Sequence, residues 1–153
     1  DAIKLLSKEV LNLKKNNYFY YLLSPIFMLM LVMMMWMIYP FLSNFITMDL
    51  SIIYLIFCLS MSSYGLLISG WSSNSMYAML GSVRAMAQVI SYEVNLSLIF
   101  LIIIMLIENF SFKTMFLFQK NIWMMIYLWP LMLVLMICLM AELNRTPFDF
   151  SEG

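Results

Sequence analysis

The sequence predicts an all-α fold, a polytopic bundle of transmembrane helices. Three observations carry that prediction. Of the 153 residues, 65% are hydrophobic and only 10% are charged, whereas soluble domains carry about a quarter charged residues. Charge-free runs longer than the roughly 20 residues needed to cross a bilayer occur at 16–48, 50–83 and 121–141. A fourth apolar stretch, 84–107, holds one acid, Glu93. A globular core cannot hide this much apolar surface behind so few charges.

The elements follow in order. Residues 1–17 carry Lys4, Lys8, Lys14 and Lys15 and form a polar segment outside the membrane. Residues 18–39 are the first span, closed by Pro40, which cannot continue a helix. Residues 50–69 are the second, ending at Gly70. Residues 70–83 are a loop in which Gly70 and Gly81 allow close backbone approach. Its Trp71 and Tyr77 suit either the membrane interface or a site for a ring-bearing ligand. Residues 84–107 are the third span. Residues 122–141 are the fourth, with Pro130 as a kink. Residues 142–153 begin an acidic loop. Four spans put Lys4, Lys8, Lys14, Lys15, Arg84 and Arg145 on one side and Lys113 and Lys120 on the other. The positive-inside bias makes the first side the inner one.

Several function classes fall away. Net charge is zero, with no basic stripe, so nucleic acid is not an expected partner. Histidine is absent. Cys58 and Cys138 stand alone in apolar runs, as small helix- or lipid-facing residues. No metal or cluster spacing is present, and no GxGxxG marks a dinucleotide site. The chain opens at Asp1 without an initiator Met and stops at Glu152-Gly153, and is read as a fragment.

Chemistry is expected at two places. Glu93 lies nine residues past Arg84, about 13 Å along a helix, near mid-membrane. A charged acid there costs about 2.5–3.5 kcal/mol on insertion scales, so it needs a polar partner, water or a proton. At 100° per residue, Arg84, Gln88, Ser91 and Asn95 share one face of this helix, flanked by Tyr92, while Glu93 points the opposite way. Two polar faces demand enclosure by other helices and suit a helix between two wet cavities. The plainer reading of Gln88, Ser91 and Asn95 is interhelical hydrogen bonding.

The second place is AELNRTPFDFSEG, residues 141–153. The twenty residues before Ala141 have no charge, yet Glu142, Arg145, Asp149 and Glu152 crowd into the last twelve. Arg145 in the last helical turn would complement the helix dipole. Pro147 stops the helix and pushes Thr146 towards extended backbone. Asp149 to Glu152 fits a capping box. These local roles explain each charge singly but not their crowding beside Phe148 and Phe150, which suits a polar–apolar groove.

SGWSSNSMYAMLGSVRAMAQVISYEVNLSLI, AELNRTPFDFSEG and the opening DAIKLLSKE together resemble the subunit 1 family of mitochondrial NADH–ubiquinone oxidoreductase, respiratory complex I. The resemblance runs end to end and is loosest at 10–24 and 106–122. The 18 Met, among many Ile, Leu and Phe, fit an AT-rich organellar gene that reads ATA as Met. The resemblance implies four spans of an eight-span subunit, multi-pass in the mitochondrial inner membrane, with the inner side facing the matrix. It implies a core membrane subunit that forms part of the ubiquinone cavity and carries acids linking quinone reduction to proton translocation. By residue, it implies proton-pathway roles for Glu93, Glu142 and Glu152 and a quinone-cavity position for Arg84, Arg145 and Asp149. Leu143 stands where a small polar residue is common. Ubiquinone would be the substrate, with NADH, FMN and iron–sulfur clusters on partner subunits. The partners implied are the other membrane and peripheral-arm subunits and the lipid bilayer. Competing readings are a proton- or ion-coupled transporter, which would need repeated halves, the anchor of a related membrane-bound hydrogenase, and a purely structural anchor that tolerates change at Glu93.

Overall fold

The computed structural model describes residues 2–8, 14–39, 48–120 and 123–150. They form seven helices in chain order: α1 (Ala2–Leu6), α2 (Tyr18–Trp36), α3 (Ser51–Ser72), α4 (Met76–Ile107), α5 (Phe112–Gln119), α6 (Met124–Tyr127) and α7 (Trp129–Glu142). There is no strand among the described residues. Helices α2, α3 and α4 are each long and apolar enough to cross a membrane. The main packing runs α2 on α3, α3 on α4 and α4 on α7.

Polar residues inside these helices satisfy themselves locally. Pro25 lies within α2 and leaves the Tyr21 carbonyl without its helical N–H. The Ser24 hydroxyl donates to that carbonyl instead, at 3.1 Å. In α3, Ser60, Ser62, Ser63, Ser69 and Ser72 each donate to the carbonyl three residues back. A serine-rich helix can thus lie in hydrocarbon without unpaired hydroxyls.

Both ends of the bundle are tied by hydrogen bonds between distant segments. At one end the Asn17 N–H donates to the Ser72 carbonyl at 3.0 Å. The Asn74 side chain donates to the Lys15 carbonyl, also at 3.0 Å. At the other end Ser51 accepts from the Phe112 N–H at 2.8 Å and donates to the Phe110 carbonyl at 3.3 Å. The start of α2, the end of α3 and the start of α4 therefore lie together, as do the start of α3 and the end of α4. The helices run up, down and up.

The interior is small. Leu96, Ile99, Ile103 and Cys138 are its centre, flanked by Leu59, Tyr92, Leu131 and Leu135. Cys58 and Cys138 are both free and buried. The outside is apolar: Ile26 and Met33 on α2 are about 60% exposed. Hydrocarbon, not water, is the solvent that suits such a surface.

Several boundaries differ from the sequence expectation. The expected loop 70–83 shrinks to the link 73–75, because α3 continues to Ser72 and α4 already starts at Met76. Gly70 does not end α3. It is where α3 and α4 touch, since a Cβ there would collide with the Ser82 side chain. The link turns at Asn74, whose φ of 49° is left-handed, a conformation Asn tolerates better than most residues. The first span, α2, stops at Trp36 rather than at residue 39, and Pro40 lies outside the described residues. The fourth span is not one kinked helix. It breaks at Leu128 into α6 and α7, and Pro130 sits in the first turn of α7, where its missing N–H costs nothing. Helix α5, capped by Ser111, which accepts from the Thr114 N–H, was not anticipated.

Candidate functional site: the junction of α4 with the C-terminal tail

The end of α7 is built by its own sequence. Asn144 adopts a left-handed φ of 48°. The Arg145 N–H reaches back to the Met140 carbonyl at 3.2 Å and the Asn144 N–H to the Ala141 carbonyl at 3.3 Å. This pair of bonds is a Schellman cap, with Asn144 in the place usually taken by glycine. Helix α7 ends at Glu142, so Arg145 lies beyond the last turn rather than in it. The chain then turns again, with the Phe148 N–H donating to the Arg145 carbonyl at 2.8 Å. The Thr146–Pro147 bond inside that turn is cis.

The double turn lays the tail on α4. Gln88 is 6% exposed. Its side-chain amide donates to the Ala141 carbonyl at 2.8 Å and to the Phe148 carbonyl at 2.9 Å. One helical turn on, the ring of Tyr92 meets that of Phe148. The i, i+4 pair Gln88 and Tyr92 therefore clasps both ends of the 141–148 segment.

Glu142 faces this junction. Burial, and after it the charge of Glu93, pushes its carboxyl up to about 7. One of its oxygens is fully buried without a hydrogen-bond partner, as are the side-chain oxygens of Gln88 and Asn144. Glu93 itself is half-buried, on the α4 face shared with Val89 and Leu96, which are 2% and 1% exposed. Of the polar face read from the sequence only Gln88 is buried, while Arg84, Ser91 and Asn95 are exposed, so the expected enclosure of that face is not found. Gln88 and Tyr92 hold the tail, and Glu93 lies above core residues. Ser91 and Ser97 donate within the helix, to the Gln88 and Val94 carbonyls.

Glu142 lies near enough to Glu93 to feel its charge. Arg84 and Arg145 are exposed, Asp149 is half-buried, and Glu152 lies outside the described residues. Gln88 as the tail's anchor was not singled out from sequence, although its i, i+4 spacing from Tyr92 was visible. Two adjoining clefts of about 310 and 450 Å³ open between α2, α3 and the start of α4, sharing Tyr21, Leu66 and Ser69. Tyr77 lines the larger one, while Trp71 packs edge-on against Tyr20. Arg84, Arg145 and Asp149 line neither cleft. Among the described residues no group of three His, Cys, Asp or Glu could hold a metal ion. Chemically, a carboxyl held as Glu142 is can take up and release a proton near neutrality.

Residues 1–153 match the sequence model of the NADH dehydrogenase family. NADH-ubiquinone oxidoreductase chain 1 of Anopheles gambiae is 44% identical over the whole chain, which covers 49% of that relative. The protein of the same name from Aedes aegypti is 45% identical, with the same coverage. That of Sarcophilus harrisii is 39% identical, and 48% of it is covered. The chain spans about half the length of the curated relatives it matches. With an apolar helical bundle and an end-to-end match, this chain belongs to the NADH dehydrogenase family.

Proposed function

We propose that the chain is part of the core membrane subunit of a proton-pumping NADH:ubiquinone oxidoreductase, lying multi-pass in the mitochondrial inner membrane. It contributes to the ubiquinone cavity and to the acidic link between quinone reduction and proton translocation. Ubiquinone is the substrate. NADH, FMN and iron–sulfur clusters belong to partner subunits of the peripheral arm, and other membrane subunits and lipid surround the bundle. The observation that carries this reading is the buried, unpartnered Glu142 carboxyl oxygen where the tail meets α4, in a chain matched throughout by this family.

The proposed chemistry needs only proton exchange. Glu142 titrates near neutrality, and one pKa unit is about 1.4 kcal/mol. A modest change of charge beside the tail therefore moves its proton. Glu93 feels that change because two nearby carboxylates resist joint ionisation. In this reading Arg145, Asp149 and Arg84 belong to the quinone cavity, and Glu152 to the acidic route.

Glu93→Gln keeps shape and hydrogen bonding but cannot exchange a proton. In vesicles holding the fully assembled complex it should depress quinone-linked turnover and the pumping tied to it, while Glu93→Asp does less harm. Full coupled activity with Gln at 93 would reduce the residue to a packing role. Arg145→Leu should impair quinone reduction while NADH oxidation by an artificial acceptor persists.

A further inference from the structure

At the junction of α4 and the tail, three buried side-chain oxygens have no donor among the described residues. Gln88 Nε2 donates to two backbone carbonyls. The amide cannot be flipped, because its oxygen would then face two acceptors. Gln88 Oε1 is therefore committed to the other side, where it is buried and has no donor among the described residues. Glu142 Oε1 and Asn144 Oδ1 are in the same condition. All three belong to one locus. The Ala141 carbonyl accepts from both Gln88 Nε2 and the Asn144 N–H, and Glu142 is the next residue. A buried polar atom left without a partner is strongly unfavourable, so three such acceptors call for a shared donor.

We propose that Gln88, Glu142 and Asn144 together hold one buried water, and that Gln88 is a positioning residue tying the 141–148 tail to that water. The count of hydrogens closes. A water brings two O–H donors, enough for Gln88 Oε1 and Asn144 Oδ1. Its own oxygen accepts one hydrogen, which Glu142 supplies in its acid form. An ionised Glu142 would leave three acceptors and two donors. One water and one carboxyl proton thus satisfy the site, and losing that proton unbalances the same amide that clasps the tail. The site goes beyond the proposed function and stands on geometry, whether or not these acids carry pumped protons.

The test uses the assembled complex. A map fine enough to show waters should place one within hydrogen-bond distance of Gln88 Oε1, Asn144 Oδ1 and a Glu142 oxygen. Infrared difference spectra give the second measurement. The Glu142 carboxyl C=O band, assigned by its loss in Glu142→Gln, should shift to higher wavenumber in Gln88→Met, which keeps the volume but not the hydrogen bonds. A protein donor on Gln88 Oε1, metal-like coordination in place of hydrogen-bond geometry, or an unmoved band would each overturn the proposal. If Gln88→Met fails to assemble, the map of the unaltered complex decides.

Discussion

The rings of Tyr92 and Phe148 meet edge to face, with centroids 5.4 Å apart and planes at 64°. One ring sits in the middle of α4 and the other five residues beyond the C-cap of α7. Such pairs contribute about 0.5–1.5 kcal/mol beyond their area. Phe148→Ala should therefore speed hydrogen exchange at the Asn144 and Arg145 amides by roughly 2- to 10-fold at 1.4 kcal/mol per decade, in the assembled complex. Phe148→Tyr should leave it nearly unchanged. Equal rates in wild type and Phe148→Ala would mean that the aromatic contact does not hold the tail.

Gly65 and Gly70 predict unequal costs. A Cβ at Gly65 would meet the far end of the Met28 side chain, which can swing aside. A Cβ at Gly70 would meet both Oγ and Cβ of Ser82, and that Cβ is fixed to the helix. Gly70→Ala should cost about 1–3 kcal/mol through overpacking, seen as a lower melting temperature or poorer assembly, and Gly65→Ala clearly less. Adding Ser82→Gly should recover much of the Gly70→Ala loss. The reverse ranking would argue against this α3–α4 contact.

Docking of the tail should depend on pH with a definite sign. The docked Glu142 holds its proton up to about 7, against an ordinary value of 4.5. The docked junction thus binds a proton that the open one has already lost between those values. Docking is undiminished below the ordinary value, weakens as pH rises through that window, and is weakest above about 7. Exchange at the Asn144 amide, corrected for its intrinsic rate, should rise from about pH 5 to about pH 8. In Glu142→Gln that rise should vanish. A slope of opposite sign would remove burial as the cause.

Helix α4 ends on Glu108 with a left-handed φ of 56°. Glu has no local reason to adopt it, and glycine adopts it without a Cβ penalty. Glu108→Gly should stabilise by up to about 1 kcal/mol, or leave stability unchanged once the entropy of the unfolded chain is counted. A clear loss in melting temperature would show that the Glu108 side chain makes a needed contact with a neighbouring subunit.

The inner-side assignment is also open to measurement. Ser75 lies in the link between α3 and α4 and Gln119 at the end of α5. Single-cysteine labelling of these two positions should report opposite faces of the membrane, with Cys58 and Cys138 protected by burial. Labelling of both from the matrix would remove the alternating topology.

Sequence alone determined the class of this protein. Runs of uncharged apolar residues, a near absence of ions and two isolated clusters of charge specify helices in lipid, because only a closed ladder of backbone hydrogen bonds survives there. Glu93 and the tail acids stood out because ionisable groups are so rare in this chain. Which face of each helix meets which neighbour was not legible. A soluble helix announces its inner face by an apolar stripe, but here lipid is as apolar as the core, and every face reads alike. The reach of Gln88 to Ala141 and Phe148, the collision that makes Gly70 a contact rather than a terminus, and the break at Leu128 all depend on register between helices. That register is set by close packing of small residues and by hydrogen bonds spanning fifty to sixty positions of sequence, so only the tertiary structure decided it.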